Sequence, residues 1–248
     1  MISSKLEKWM KRYSLVRALA LAILVFLNTS FVYAQSAEDF KKKGEFYTKQ
    51  SNYNLAIFNY TRAIEAKPQL KALDLYIVYL GRAVDYFQQK NFPQAVSDDT
   101  KAIEILQAIK NENPELKKAF LGRAYLQRGM AYDLENNLVP AISDFTKFIE
   151  IEPKDMVAYS FRGSEYYRQN KLIQAISDYN ISIENTPNVK SYEGLAHIYF
   201  DLKEYEKAWK NVHKTEALRN KYEALGYEHD NEDLKFLDKL KKASGRDK

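Results

Sequence analysis

Three histidines, His197, His213 and His229, are the only imidazoles in this chain of 248 residues. No two of them share a helix face with a carboxylate at the spacing that closes a zinc site, and no H-x-x-E-H arrangement occurs. The densest acidic run, His229-Asp230-Asn231-Glu232-Asp233, lacks the glycine and the closing glutamate of a calcium loop and reads as a solvated helix start. No serine or threonine sits in a nucleophile-elbow context, and no glycine-rich phosphate loop is present. With no cysteine, thiol chemistry and disulfides are both excluded. The sequons at Asn59 and Asn180 fall inside helical patterns and read as chance matches. The expectation is therefore no catalytic residue, no metal site and no cofactor. That leaves the 19 tyrosines, which suggest a stacking surface for bases or sugars until their spacing is read. Eleven of them, at 47, 60, 79, 86, 125, 132, 159, 166, 179, 192 and 199, recur at fixed positions, which points to core packing instead.

Five times an aromatic residue is followed seven positions later by a tyrosine and nine positions after that by an alanine. The sets are Phe40/Tyr47/Ala56, Tyr79/Tyr86/Ala95, Tyr125/Tyr132/Ala141, Tyr159/Tyr166/Ala175 and Tyr192/Tyr199/Ala208. Three residues before each tyrosine sits a tiny residue: Gly44, Ala83, Gly129, Gly163 or Ala196. Positions i, i+4 and i+7 form one face of a helix, and the tiny residue lets a second backbone come close. The gap to alanine spans a short polar turn, so each unit is expected to be an antiparallel helical hairpin with the alanine facing the tiny residue. Pro68, Pro153 and Pro187 close three units, Ser36 with Asp39 forms a capping-box pair, and Asp155 precedes a further helix start.

These residues resemble the tetratricopeptide repeat, a 34-residue helix–turn–helix unit. The third and fourth copies depart from its pattern at the usual leucine, replaced by Arg128 and Arg162, and at a late small position, where Phe148 stands in the third. The resemblance implies an all-α solenoid of about five hairpins, with repeats near 37–70, 76–109, 122–155, 156–188 and 189–222 inside a domain at 37–220. A C-terminal capping helix and tail occupy 223–248, the helix following Gly226 and Asn231 and carrying Leu234, Phe236, Leu237 and Leu240. Alanine-to-alanine spacings of 39, 46, 34 and 33 predict extra helical turns around residues 104–133, with a restart near Pro114.

Residues 1–34 combine a basic stretch, the apolar run Ala18 to Leu27 and a Val32-Tyr33-Ala34 ending, the layout of a secretory signal peptide cleaved between Ala34 and Gln35. Ten apolar residues are short for a bilayer span, so contact with a membrane is expected only through that transient segment. The segment holds five of the 38 basic and one of the 33 acidic residues, which leaves 33 against 32 in the remainder. The formal charge of +5 thus gives no support for nucleic-acid binding. Export places the protein in a periplasm or outside the cell.

In the family, the first helix of each hairpin lines a groove that holds a segment of a protein partner. Carried onto this chain, the resemblance implies a groove of Ile77, Leu80, Val84, Phe87, Leu126, Met130, Phe161, Tyr167 and Phe200, interspersed with Arg123, Gln127, Arg168 and His197. The first hairpin shows Glu38, Lys41, Lys42, Glu45 and Lys49 instead. Glu45 and Gly81 replace two asparagines of the clamp with which one subgroup grips acidic chaperone tails, so that clamp is absent. Two functions follow: a scaffold seating a peptide or protein segment in a cell-envelope assembly, or a chaperone-like carrier holding unfolded polypeptide or acyl chains in a deep apolar channel.

Overall fold

A computed structural model describes residues 36–66, 69–110, 113–224 and 234–246. The described residues form eleven α-helices and no strands: α1 (Ala37–Lys49), α2 (Tyr53–Glu65), α3 (Ala72–Gln88), α4 (Phe92–Ala108), α5 (Pro114–Leu134), α6 (Leu138–Ile151), α7 (Met156–Arg168), α8 (Leu172–Asn185), α9 (Val189–Asp201), α10 (Tyr205–Glu223) and α11 (Leu234–Ser244). Consecutive pairs from α1/α2 to α9/α10 are the five hairpins, and each second helix packs on the first helix of the next pair. The segment 1–34, Pro68, Gly226 and Asn231 lie outside the described residues.

The five turns share one device. Ser51, Lys90, Asn136, Asn170 and Lys203 all have φ between 56° and 60°. Each left-handed residue directs the next N–H back to the motif tyrosine's carbonyl, as from Asn91 to Tyr86 at 2.8 Å. This satisfies the orphan carbonyls that a helix C-terminus leaves. At the start of the fold Ser36 and Asp39 cap each other's backbone, as a capping box requires.

At the three glycine positions the nearest packing partner is a ring, in addition to the motif alanine expected from the sequence, whose carbonyl lies 3.4 Å from a side chain built at Gly163. A side chain added at Gly44 would meet the ring of Tyr60, at Gly129 that of Phe145, and at Gly163 that of Tyr179. The ring four positions beyond the motif alanine, about one turn further along the second helix, fills the space. Tyr60 and Tyr179 also reach the next hairpin, lying against Gly81 and Gly194. Phe145 instead stacks on Phe161 with ring centroids 5.4 Å apart. The second hairpin has Asp99 where a ring would stand, and Gln127 of the third donates to it at 2.9 Å. The extra turns of α4 and α5 pack Leu106 and Phe120 against Tyr76 of α3, whose hydroxyl donates to the Phe120 carbonyl at 3.0 Å. α4 ends at Ala108 and α5 starts at Pro114, close to where the spacing placed the break.

A ladder of buried ion pairs runs through the three central hairpins. Arg82 holds Asp98 through Nε and Nη2 at 2.7 and 2.8 Å, Arg128 holds Asp144 at 2.7 and 2.8 Å, and Arg162 holds Asp178 at 2.8 and 3.0 Å. Each Nη1 then reaches back to a hydroxyl of the preceding hairpin: Thr61, Thr100 or Thr146. The motif tyrosines flank each guanidinium, with ring centroids 5.6 to 5.9 Å from its carbon. Most of these tyrosines are consequently half-buried, not fully buried as core packing alone predicts; Tyr60, Tyr179 and Tyr192 are the buried ones. Removing one partner of such a pair strands a charge in a dry seam. Arg128→Ala is expected to lower the equilibrium unfolding free energy by about 3–5 kcal/mol. The double change Arg128→Leu with Asp144→Ala is expected to recover most of that loss.

Candidate functional site

Two adjoining cavities open on the face formed by the first helices. The larger, about 410 Å³, is lined by Glu45, Thr48 and Lys49 of α1, Tyr60 of α2, Tyr76, Ile77, Leu80, Gly81 and Val84 of α3, and Phe120 and Arg123 of α5. The smaller, about 260 Å³, is lined by Val84, Phe87 and Gln88 of α3 and by Arg123, Leu126, Gln127 and Met130 of α5. Val84 and Arg123 belong to both, so the two cavities form one depression across three hairpins. Its floor is aliphatic and aromatic, and its charges sit at the edges.

Eight of the thirteen expected groove residues meet here. Leu80 is only 6% exposed and serves chiefly as core, since it packs with Tyr76, Ile103 and Leu106. Gln127 is committed to the buried Asp99 and, at 3.4 Å, to the Leu80 carbonyl. Arg123 is exposed, and among the described arginines it alone has no carboxylate partner; Arg62, Arg82, Arg128, Arg162, Arg168, Arg219 and Arg246 each have one.

The other five expected residues lie elsewhere in the packing. Phe161 is held between Phe145 and the Lys190 ammonium, which lies 3.8 Å from its ring centroid. It borders a separate cavity of about 220 Å³ with Met156, Val157, Ser160, Thr186, Asn188 and Lys190. The Tyr167 hydroxyl bonds Asp201 at 2.6 Å. Arg168 is already paired with Asp133 at 2.5 Å and Glu165 at 2.8 Å, and also donates to Asn136. It is therefore not free to pair with a ligand carboxylate. His197 and Phe200 are covered by Phe236 of α11, with ring centroids at 3.9 and 5.5 Å. In the first hairpin Lys41 is buried, its ammonium 2.6 Å from Asp74 and 3.0 Å from Glu38, so it too is not a groove surface.

The electrostatics contain groups that sequence reasoning missed. Asp85 and Glu165 are fully buried, each with one carboxylate oxygen lacking a partner. Burial pushes both up to about 7, and the neighbouring Asp133 adds to the shift of Glu165. Burial also raises the Tyr60 and Tyr76 phenols to about 12. The signal that was available lies in the motif itself: both acids sit two positions after the tiny residue, and the three ladder arginines sit one position before it. Among the described residues no group of three histidines or acids is placed to hold a metal ion. No described helix is long and apolar enough to cross a membrane. The acidic run 229–233 lies outside the described residues. His197 lies tilted against Phe236, and His213 stacks on Trp209 with its Nδ1 3.3 Å from Glu216.

The hairpins and their stacking define an α-solenoid of tetratricopeptide repeats. Residues 42–70 and 122–155 match the tetratricopeptide repeat family directly. A stretch of 69 residues, 28% of this chain, is 38% identical to the mitochondrial import receptor subunit TOM70 of Homo sapiens, and the match covers 11% of that receptor's length. Among solved structures the chain is similar to the MamA protein, with a TM-score of 0.62 at 17% identity over 78% of this chain and 96% of that one. MamA from Desulfovibrio magneticus RS-1 gives 0.61 at 13% identity, over 75% and 96%. YrrB, described as a TPR protein with an unusual peptide-binding site, gives 0.59 at 16% identity, over 77% and 90%. At these identities the structural likeness speaks for the fold.

The α11 contact is separable from the groove. Phe236→Asp is expected to undock this helix and raise amide hydrogen exchange in residues 234–246 by about tenfold or more, with α3 to α6 unchanged.

Proposed function

We propose that this protein is an exported interaction module that seats a segment of a protein partner in the depression between α1, α3 and α5. The observation that carries the reading is the joined cavity pair, whose apolar floor of Ile77, Val84, Phe87, Leu126 and Met130 is edged by the one described arginine without a carboxylate partner. An apolar strip with a few placed polar groups is the surface a helical or extended peptide docks on. The repeat fold supports a protein–protein role, as do the relatives, a TOM70 import receptor subunit and a YrrB with a peptide-binding site. A carrier of acyl chains or unfolded chain needs a deep continuous apolar channel. The open cavities with Glu45, Lys49 and Arg123 at their edges favour the peptide reading.

Export remains part of the proposal. The capping box at Ser36 begins the fold two residues beyond Ala34, so removal of residues 1–34 leaves every described helix whole. N-terminal sequencing of the protein recovered from cells is expected to start at Gln35. Retention of Met1 in a cytosolic fraction overturns export.

Val84→Glu and Met130→Glu place a carboxylate on the floor without touching the ladder or the ring slots. Crosslinking in the native compartment is expected to lose the partner in both variants, while the thermal unfolding midpoint shifts little. Arg123→Glu is expected to weaken capture about tenfold or more if the partner presents an acidic group there. Capture undiminished in both floor variants refutes the groove.

A further inference from the structure

Every hairpin after the first has a fully buried residue two positions beyond its tiny residue: Asp85, Ala131, Glu165 and Ile198. The matching residue of the first hairpin, Phe46, is 55% exposed, as no described hairpin precedes it. This position is thus the seam where a first helix meets its predecessor. Alanine and isoleucine suit such a dry place, whereas a carboxyl there needs a reason. Asp85 Oδ2 lies 2.9 Å from the Thr48 hydroxyl of α1, and Oδ1 is buried without a partner. Thr48 also lies 3.2 Å from the Gly44 carbonyl and forms part of the wall of the larger cavity. The groups that face Asp85 are Thr48 of α1 and Tyr60 of α2, whose phenol also bonds Thr48 and has Glu45 of α1 near it. α4 and α5 bring no ion-pair partner to it, and Lys49 and Arg123 stand at the cavity's edge.

A proton on Asp85 completes a chain, from the carboxyl O–H to Thr48 Oγ1 and from the Thr48 O–H to the Gly44 carbonyl. Once that proton leaves, the Thr48 hydroxyl donates to Oδ2 and offsets part of the burial cost, but Oδ1 then carries charge in a dry seam with no partner. We propose that Asp85 is a proton-operated latch on the groove: its neutral carboxyl keeps α1 packed on α3, and its carboxylate loosens that seam and reshapes the larger cavity. This regulation rests on the groove being the binding site; the seam movement itself does not.

Burial raises Asp85 from 3.8 to about 7 in the packed form, so the packed form holds the proton more tightly than an opened one. The latch therefore gives its full stabilisation below the ordinary carboxyl value and loses it as pH rises through about 7. Hydrogen exchange of the full chain at pH 6 and pH 8, corrected for intrinsic rates, reads this directly. Protection of the α1 amides is expected to fall about tenfold between the two pH values, the factor that linkage between those two pKa values gives. Asp85→Asn, and Asp85→Ala, which copies the alanine that the next seam already accommodates at 131, are expected to show the same α1 protection at both pH values. A wild type without the fall, or a fall of equal size in whichever variant folds, overturns the latch. The measurement needs no partner, so it fails or succeeds apart from capture by the Val84 and Met130 variants.

Discussion

The bidentate arginine–aspartate pair fixes how the three central hairpins meet their neighbours. Each guanidinium touches three helices, its own, the second helix of its hairpin and the second helix of the hairpin before, so one side chain fixes both the hairpin and its neighbour. The two end hairpins show why it is confined to the middle. Where the ladder has arginine and aspartate, the first hairpin has Lys43 and Asn59, and the fifth has Leu195 and Asn211. The two asparagines bond back to carbonyls of their own helices, Leu55 and Lys207. An aspartate at either place would be a buried charge without its arginine, which is costly; an amide is not.

A second constraint sets which hairpin follows which. The ring of Tyr60 needs Gly81, and that of Tyr179 needs Gly194, whereas Phe145 meets Phe161 and Asp99 meets Gln127. The four seams are of three kinds: a side chain at 81 or 194 would overlap the tyrosine, and a glycine at 127 would strand Asp99. The interfaces thereby restrict which hairpin can follow which, although all hairpins share one backbone plan. Such nearest-neighbour matching is how a solenoid gains cooperativity without long-range contacts.

The groove adjoins these seams. The apolar depression lies between α3 and α5, beside the elongated α4 and α5. Further along the stack, Tyr167 and Arg168 are tied across to neighbouring hairpins. The end of the stack is closed by α11, whose Leu240 is fully buried and whose Ser244 hydroxyl accepts from the Trp209 indole at 3.0 Å.

The residues alone determined that this chain forms five helical hairpins and where the long ones fall, because helical periodicity, tiny residues and turn chemistry are properties of a single element and its immediate neighbour. Most of the cavity floor was legible for the same reason: Val84, Leu126 and Met130 lie on a helix face whose orientation the repeat dictates. Tertiary structure decided the rest. Whether Arg168 is a free cation, whether His197 is open or capped, and whether Asp85 is solvated or dry depend on which atoms another hairpin brings within about 3 to 4 Å, the reach of a hydrogen bond or a packing contact, and spacing along one chain carries no record of that distance. Asp98 follows Arg82 by sixteen residues just as Asp144 follows Arg128, yet only their meeting across a turn shows that the two charges belong to one interaction.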